Sequence, residues 1–230
     1  MLTARLRESR ELAPGVRHFV FEVPEVERLD FRPGQFVSLS HPIQGRVITR
    51  AYSIASLPNG NRFELCLNRV EDGLFSPHLF SMAPGESVSM KGPLGTFVWR
   101  EPVKPSILVA TGTGIAPFRS MLQEELPRDH DAPVTLIFGA RYPHGLLYRE
   151  EFEEMARQYP RFTFRPTVTR PDNSWTGRTG RVQVHLTEAL GGRRGFDVYI
   201  CGLKEMVDDV RTLLKGLGFD RKQIIYEKYD

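Results

Sequence analysis

The run SILVATGTGIAPFRSMLQEEL, residues 106–126, constrains the fold more than any other stretch. SILVATG (106–112) is apolar at nearly every position, as expected of a strand buried on both faces. IAPFRSMLQEEL (115–126) then carries apolar residues at helical spacing. A buried strand that turns through glycines straight into a helix is the opening unit of a parallel sheet flanked by helices. The alternation continues downstream. VTLIFGA (134–140), FTFRPTVTR (162–170), DVYICG (197–202) and QIIYEKY (223–229) read as strands. LYREEFEEMARQY (147–159) and a stretch from about Leu203 to Leu217 read as helices.

Upstream the rhythm is different. VRHFVFEV (16–23), QFVSLSH (35–41), RAYSIAS (50–56), RFELCLNRV (62–70) and ESVSMKG (86–92) are short strand-like runs punctuated by Pro33-Gly34, Pro58-Asn59-Gly60 and Pro84-Gly85. Such spacing predicts a small barrel or sandwich. A short helix is expected near SPHLFSM, with Ser76 as a cap and Pro77 in its first turn. The proline-bearing REPVKPS (100–106) reads as the linker. The 230 residues fit two compact domains, a β-barrel over 1–100 and an α/β domain over 101–230.

Composition excludes several classes. A net charge of +3 without basic clusters gives no nucleic-acid footprint. The two cysteines, Cys66 and Cys201, provide neither a zinc set nor the four thiolates of an iron–sulfur cluster, so no metal site is expected. MLTARLRESRELAPG shows no apolar signal-peptide core, and no run reaches the length of a membrane span. The expected location is the cytoplasm, and the expected state a monomer.

Four groups of residues carry candidate chemistry. In RAYSIAS, Arg50 and Tyr52 share one strand face and Ser53 begins the other, a mixture suited to a large, flat, phosphorylated ligand. In ATGTGIAPF, a glycine turn at a strand–helix junction lets backbone N–H groups approach a phosphate; a tight turn without ligand is the alternative. GLFSPHLF offers Gly73 and Ser76 for a second phosphate or for an ordinary N-cap. Arg141, Arg149, Arg170, Arg178 and Arg181 lie after second-domain strands or in neighbouring loops, where guanidinium groups bind phosphate or remain solvated.

Taken together, RAYSIAS, LCLNR with GLFSPHL, GPLGTF, TGTGIAPFRSML, LLYREEFEEM, YICGLKEM and the closing YEKY resemble the ferredoxin–NADP reductase family, in the same order over nearly the whole chain. The resemblance implies a six-stranded antiparallel FAD-binding barrel followed by a Rossmann-like parallel-sheet domain for NADP(H). It implies that Arg50 binds the flavin pyrophosphate, that Tyr52 stacks on the isoalloxazine and that Ser53 bonds near N5. Ala51, Leu67, Asn68, Gly73, Leu74, Phe75 and Ser76 would complete the flavin site, with Ser76 on the phosphates. Thr111, Gly112, Thr113 and Gly114 would hold the nicotinamide-cofactor pyrophosphate, with Cys201 and Gly202 near the nicotinamide. Ser53, Cys201, Glu227 and Tyr229 would be the catalytic set, Glu227 linked to Ser53 through hydrogen bonds and Tyr229 covering the other flavin face.

The chain departs from the family pattern at three points. Asp230 follows Tyr229, which is commonly the last residue. The short loop from Arg69 to Gly73 has no tyrosine to stack on adenine, which leaves a bent FAD, or FMN, open. At the 2′-phosphate site Thr169 and Arg170 fit one arrangement, while Arg141 and Arg181 resemble the bacterial reductases. No acid follows Ala140, which favours NADPH over NADH. The implied activity is hydride exchange between NADP(H) and flavin, with single electrons passed to ferredoxin or flavodoxin. Lys91, Arg100 and Lys228 are candidates for steering that acidic partner. The alternatives are an NADH-dependent reductase component of an oxygenase and a non-catalytic flavin- and nucleotide-binding subunit.

Overall fold

The structure, a computed structural model, describes residues 2–229; Asp230, the first departure above, lies outside them. The chain forms two compact units. One runs to Val98 and takes in Ala116–Glu124; the other holds Trp99–Ile115 and the described residues from Glu125 onward.

The first unit is a six-stranded antiparallel sheet built from β1 (Leu2–Ala13), β2 (Val16–Glu22), β3 (Phe36–Ile43), β4 (Arg46–Ser53), β5 (Arg62–Asn68) and β6 (Ser87–Leu94), with helix α1 (Phe75–Ser81) between β5 and β6. The order is β4-β3-β6-β1-β2-β5. Its two outer strands meet: Ile54, just past β4, bridges Leu65 of β5, and the Ala55 N–H donates to Glu64 O at 2.8 Å. Closing the sheet on itself satisfies edge groups that would otherwise face solvent. Phe19, Phe21, Phe63, Leu39, Ile54 and Leu65 fill the interior and are fully buried.

β1, like the two-residue β10, is a strand that pattern reading misses. Its outer positions are charged, and the Arg5 and Arg7 guanidinium groups each approach Glu22 of β2 at 3.6 Å. Register shifts at Leu6/Glu8 and Glu11/Ala13 break the two-residue alternation, so a period-2 search fails there. β4 also begins four residues before the expected Arg50. Gln44 and Gly45 both adopt positive φ, 51° and 75°, the tight turn that joins two hairpin strands through two residues.

The second unit is a six-stranded sheet, all pairs parallel, with β7 (Ser106–Thr111), β8 (Val134–Ala140), β9 (Phe162–Val168), β10 (Arg178–Thr179), β11 (Asp197–Leu203) and β12 (Ile224–Tyr229) in the order β10-β9-β8-β7-β11-β12. The chain winds one way from β7 to β10 and the other way through β11 and β12, so the strand order reverses between β7 and β11. Helices α2 (Ala116–Glu125), α3 (Arg149–Gln158), α4 (Val182–Leu190) and α5 (Lys204–Gly216) complete the alternation.

α2 groups with the first unit, although it follows the expected linker. Ser120 explains why: its hydroxyl accepts from the Gly34 N–H at 3.2 Å and lies 3.1 Å from Ile54 O. The Arg119 guanidinium reaches Ala55 O and Glu64 Oε2, both at 2.6 Å. α4 was not expected either. VQVHLTEAL is short and rich in β-branched residues, which hold helices weakly. It is held by burial of Val182, Leu186 and Leu190, and glycine at 139 leaves room for Val182, whose Cγ1 would lie 2.6 Å from a Cβ there.

Candidate active site

In the first unit, β4 presents Arg50 to Ser53 of RAYSIAS and ends there, three residues before the expected strand end. Tyr52 lies opposite Val37 of β3, and Ser53 opposite Phe36. The Tyr52 ring is half-buried and stacks on Phe75 of α1, with centroids 6.2 Å apart and planes 24° from parallel. Burial pushes the Tyr52 phenol far above its ordinary range, with Arg50 opposing weakly, so the ring is neutral. Arg50 and Ala51 are exposed, and the Arg50 guanidinium donates to Thr49 O at 2.8 Å. Ser53 is buried.

The loop from β5 to α1 contributes buried Leu67, exposed Asn68, Gly73, exposed Leu74 and buried Phe75 and Ser76. Ser76 is not the N-cap. α1 starts at Phe75, Leu74 occupies the cap position without a side-chain bond, and the Ser76 hydroxyl accepts from the Val70 N–H at 2.9 Å. That bond folds the loop back on itself and closes it without a tyrosine. Two histidines unmarked in the sequence reading extend the ring contacts: His78 stacks on His41 at 4.2 Å and lies 6.3 Å from Phe75. Burial, and next the His41 charge, hold His78 below its ordinary pKa, while Glu86 opposes.

In the second unit the candidate residues gather where β7 and β11 end, at the reversal of strand order. This is where open α/β sheets bind ligands. Thr111 closes β7, and Gly112–Ile115 form a short 3-10 turn in which Gly112 has φ 54°. A Cβ on Gly114 would lie 2.3 Å from Cys201 O and 2.7 Å from Gly202 Cα. Gly202 has φ 150°, and a Cβ there would come 2.7 Å from Thr111 Oγ1. The two strand ends thus touch backbone to backbone, and only glycine permits the approach. The exposed Gly112 and half-buried Thr113 leave the turn's surface open to a phosphate group.

Beside this turn, β11 and β12 align Cys201 with Glu227 and Leu203 with Tyr229. Cys201 is fully buried. Burial first, and the neighbouring Glu227 charge second, raise its thiol well above the ordinary range; hydrogen bonds from the Tyr229 side chain and the Gly202 backbone act the other way. A buried thiol held protonated at neutral pH is a poor nucleophile. The fold unites Cys201, Glu227 and Tyr229, which are up to 28 residues apart in sequence.

The arginines divide. The Thr169 N–H donates to Ala140 O at 3.1 Å and the Arg170 N–H to Arg141 O at 2.7 Å, which sets Arg141, Thr169 and Arg170 on adjoining strand ends. Arg170 also donates to the Tyr142 hydroxyl at 3.3 Å, and Tyr142 stacks on His144 at 5.4 Å. Tyr142 is 38% exposed and was not singled out from sequence; an aromatic directly after Arg141 at a strand end was the available signal. Arg181 instead lies 3.9 Å from Asp209, and Arg149 pairs with Glu153 at 2.6 Å and covers the Trp175 ring. Arg178 is exposed. Of the steering candidates, Lys91 is exposed, the Arg100 guanidinium is bonded to Lys222 O, and Lys228 Nζ lies 2.6 Å from Asp208. Among the described residues no three metal-ligating side chains cluster, and no helix is long and apolar enough to cross a membrane.

Comparison with known proteins agrees with the two architectures. Residues 3–99 match the family described as Oxidoreductase FAD-binding domain, and residues 108–212 match Oxidoreductase NAD-binding domain. The chain is 43% identical to ferredoxin–NADP reductase B of Sorangium cellulosum (strain So ce56), covering 99% of this chain and 97% of that protein. It is 33% identical to the toluate 1,2-dioxygenase electron transfer component of Pseudomonas putida, covering 98% of this chain and 67% of that longer protein. Among solved structures, a ferredoxin NADP+ reductase from Neisseria gonorrhoeae with bound FAD and NADP superposes with TM-score 0.86 at 26% identity, covering 98% of this chain and 97% of the other.

Proposed function

This chain belongs to the ferredoxin–NADP reductase family of FAD- and nicotinamide-binding oxidoreductases, and from that premise we propose that it exchanges a hydride between NADP(H) and FAD and single electrons with a ferredoxin or flavodoxin. When bound, flavin supplies the chemistry, because its N5 exchanges hydride and its ring system passes electrons singly. The protein supplies binding, orientation and proton control.

Tyr52 offers a neutral aromatic face to a flat ring, and Arg50 offers an exposed guanidinium to a pyrophosphate. Ser53 provides a hydroxyl at the reacting edge. Ala51, Leu67, Asn68 and the Gly73–Ser76 segment line the same site. Thr111–Gly114 cradle the pyrophosphate of the nicotinamide cofactor, and Gly202 keeps the approach to the nicotinamide open. Glu227 orients the polar edge of that site, Cys201 packs beside it, and Tyr229 holds its place until the nicotinamide takes it. Arg141, Thr169 and Arg170 receive the 2′-phosphate, with Tyr142 beside them; Arg181, already near Asp209, is the weakest of the set. The two buried thiols suit a reducing compartment, and we assign the protein to the cytoplasm.

The observation that carries this reading is the convergence of Cys201, Glu227 and Tyr229 beside a glycine turn with no room for a side chain. Glu227→Ala tests it. The variant should retain FAD, while its hydride-transfer rate in anaerobic stopped flow drops by about 10²-fold or more, as for loss of a positioned acid–base group. A wild-type rate would remove Glu227 from the mechanism.

The likeness to a dioxygenase electron transfer component supports a second reading, an NADH-dependent reductase serving an oxygenase. The ratio of kcat/KM for the two nicotinamides separates the two. A colourless chain without NAD(P)H-dependent dye reduction would instead support a non-catalytic binding subunit.

A further inference from the structure

β12 is an edge strand: it pairs with β11 on one side only. Its end carries Glu227 and Tyr229. Strand side chains alternate. Tyr226 and Lys228 turn toward α5, where the Arg211 guanidinium lies 3.8 Å from the Tyr226 ring centre and Lys228 Nζ lies 2.6 Å from Asp208 Oδ1. Glu227 and Tyr229 turn the other way, toward Cys201.

Asp208 gathers three cations, but two belong to its own helix. Lys204 and Arg211 each approach it at 3.1 Å, one turn before and one turn after. Of these three, Lys228 is the one that joins β12 to α5. A second contact from the same face, Arg211 over Tyr226, fixes the strand two residues earlier.

We propose that Asp208 is a positioning residue: through Lys228 it pins the end of β12 and so keeps Glu227 and Tyr229 against Cys201. Its consequence for turnover rests on the roles proposed above for those two residues. A single half-buried ion pair at a strand end adds little to global stability. Losing this one therefore opens the strand end locally, without unfolding the domain.

The test compares the FAD-loaded chain with its Asp208→Asn, Lys228→Met, double and Lys204→Ala variants. N-ethylmaleimide labelling of Cys201 is followed by peptide mass, with buried Cys66 as internal reference. Cys201 should label about fivefold faster or more in Asp208→Asn and in Lys228→Met, with Cys66 unchanged. The double variant should match either single, because the two residues act as one unit. Lys204→Ala, which removes an ion pair of Asp208 within its own helix, should label as wild type. In the same two single variants the rate of reduction by NADPH should fall about threefold or more, with a smaller change in KM.

Wild-type labelling in both Asp208→Asn and Lys228→Met would overturn the clamp. So would equal acceleration in Lys204→Ala, which would reduce Asp208 to a helix-stabilising role. Faster labelling with unchanged reduction would leave the clamp standing and overturn the catalytic roles of Glu227 and Tyr229.

Discussion

Gly114 shows how much of the proposed function rests on the absence of an atom. Its missing Cβ allows the end of β7 to meet Cys201 and Gly202 of β11 at backbone distance. The obstacle to a larger residue is backbone, which cannot rotate aside. Gly114→Ala should therefore cost about 1–3 kcal/mol of stability or more. NADP+ affinity, read by difference spectroscopy, should weaken at least about tenfold, one kcal-scale step, while FAD content holds. Unchanged affinity would show that the turn does not receive the cofactor. At this scale the sequence was informative where chemistry is local. RAYSIAS and TGTG name a ring, a cation and a turn in consecutive positions. It was uninformative where a side chain's partner comes from elsewhere. Nothing in GLFSPHLF announces that Ser76 closes on the Val70 N–H rather than capping α1. His41 and His78 stack only because β3 and α1 are folded together.

Elements were legible in proportion to the regularity of their burial. β7, β8 and β11 are buried almost throughout, and their apolar runs match their observed spans within a residue. β1 escaped notice because bulges interrupt its alternation and its outer face is charged. α4 escaped because its stability lies in packing rather than in propensity. The pairing of α1 with β3 carries a pH signature. Burial keeps His78 below its ordinary value near 6.5. Below that value the unfolded chain takes up a proton that the folded chain still refuses. The unfolded state then binds more protons, so stability present at neutral pH falls as pH is lowered through the window beneath 6.5. Urea unfolding between pH 7 and 5, above the ordinary carboxylate range, should show the midpoint falling with pH. His78→Phe should flatten that slope. An identical slope in the variant would assign the dependence to another group.

At the scale of the whole molecule, each compact unit carries a distinct share of the proposed site residues. The closed barrel bears Arg50, Tyr52 and Ser53 on a strand end, and the parallel sheet brings Cys201, Glu227 and Tyr229 to its reversal point. The change of hydrophobic rhythm along the chain announced two architectures. It did not announce that α2, beyond the proline-bearing linker, would be fastened to the first unit by Ser120 and Arg119. The proposed nucleotide preference also belongs to this scale, because Arg141 and Arg170 come from two different strand ends and meet only in the folded sheet. The most direct measurement is anaerobic stopped-flow reduction of the purified protein by NADPH and by NADH, followed at the flavin absorbance. The account predicts rapid bleaching by NADPH and reduction by NADH slower by about tenfold or more, the worth of one lost charge-assisted phosphate contact. Faster reduction by NADH would contradict it, return Arg141 and Arg170 to the role of surface charge, and favour the oxygenase-linked reading.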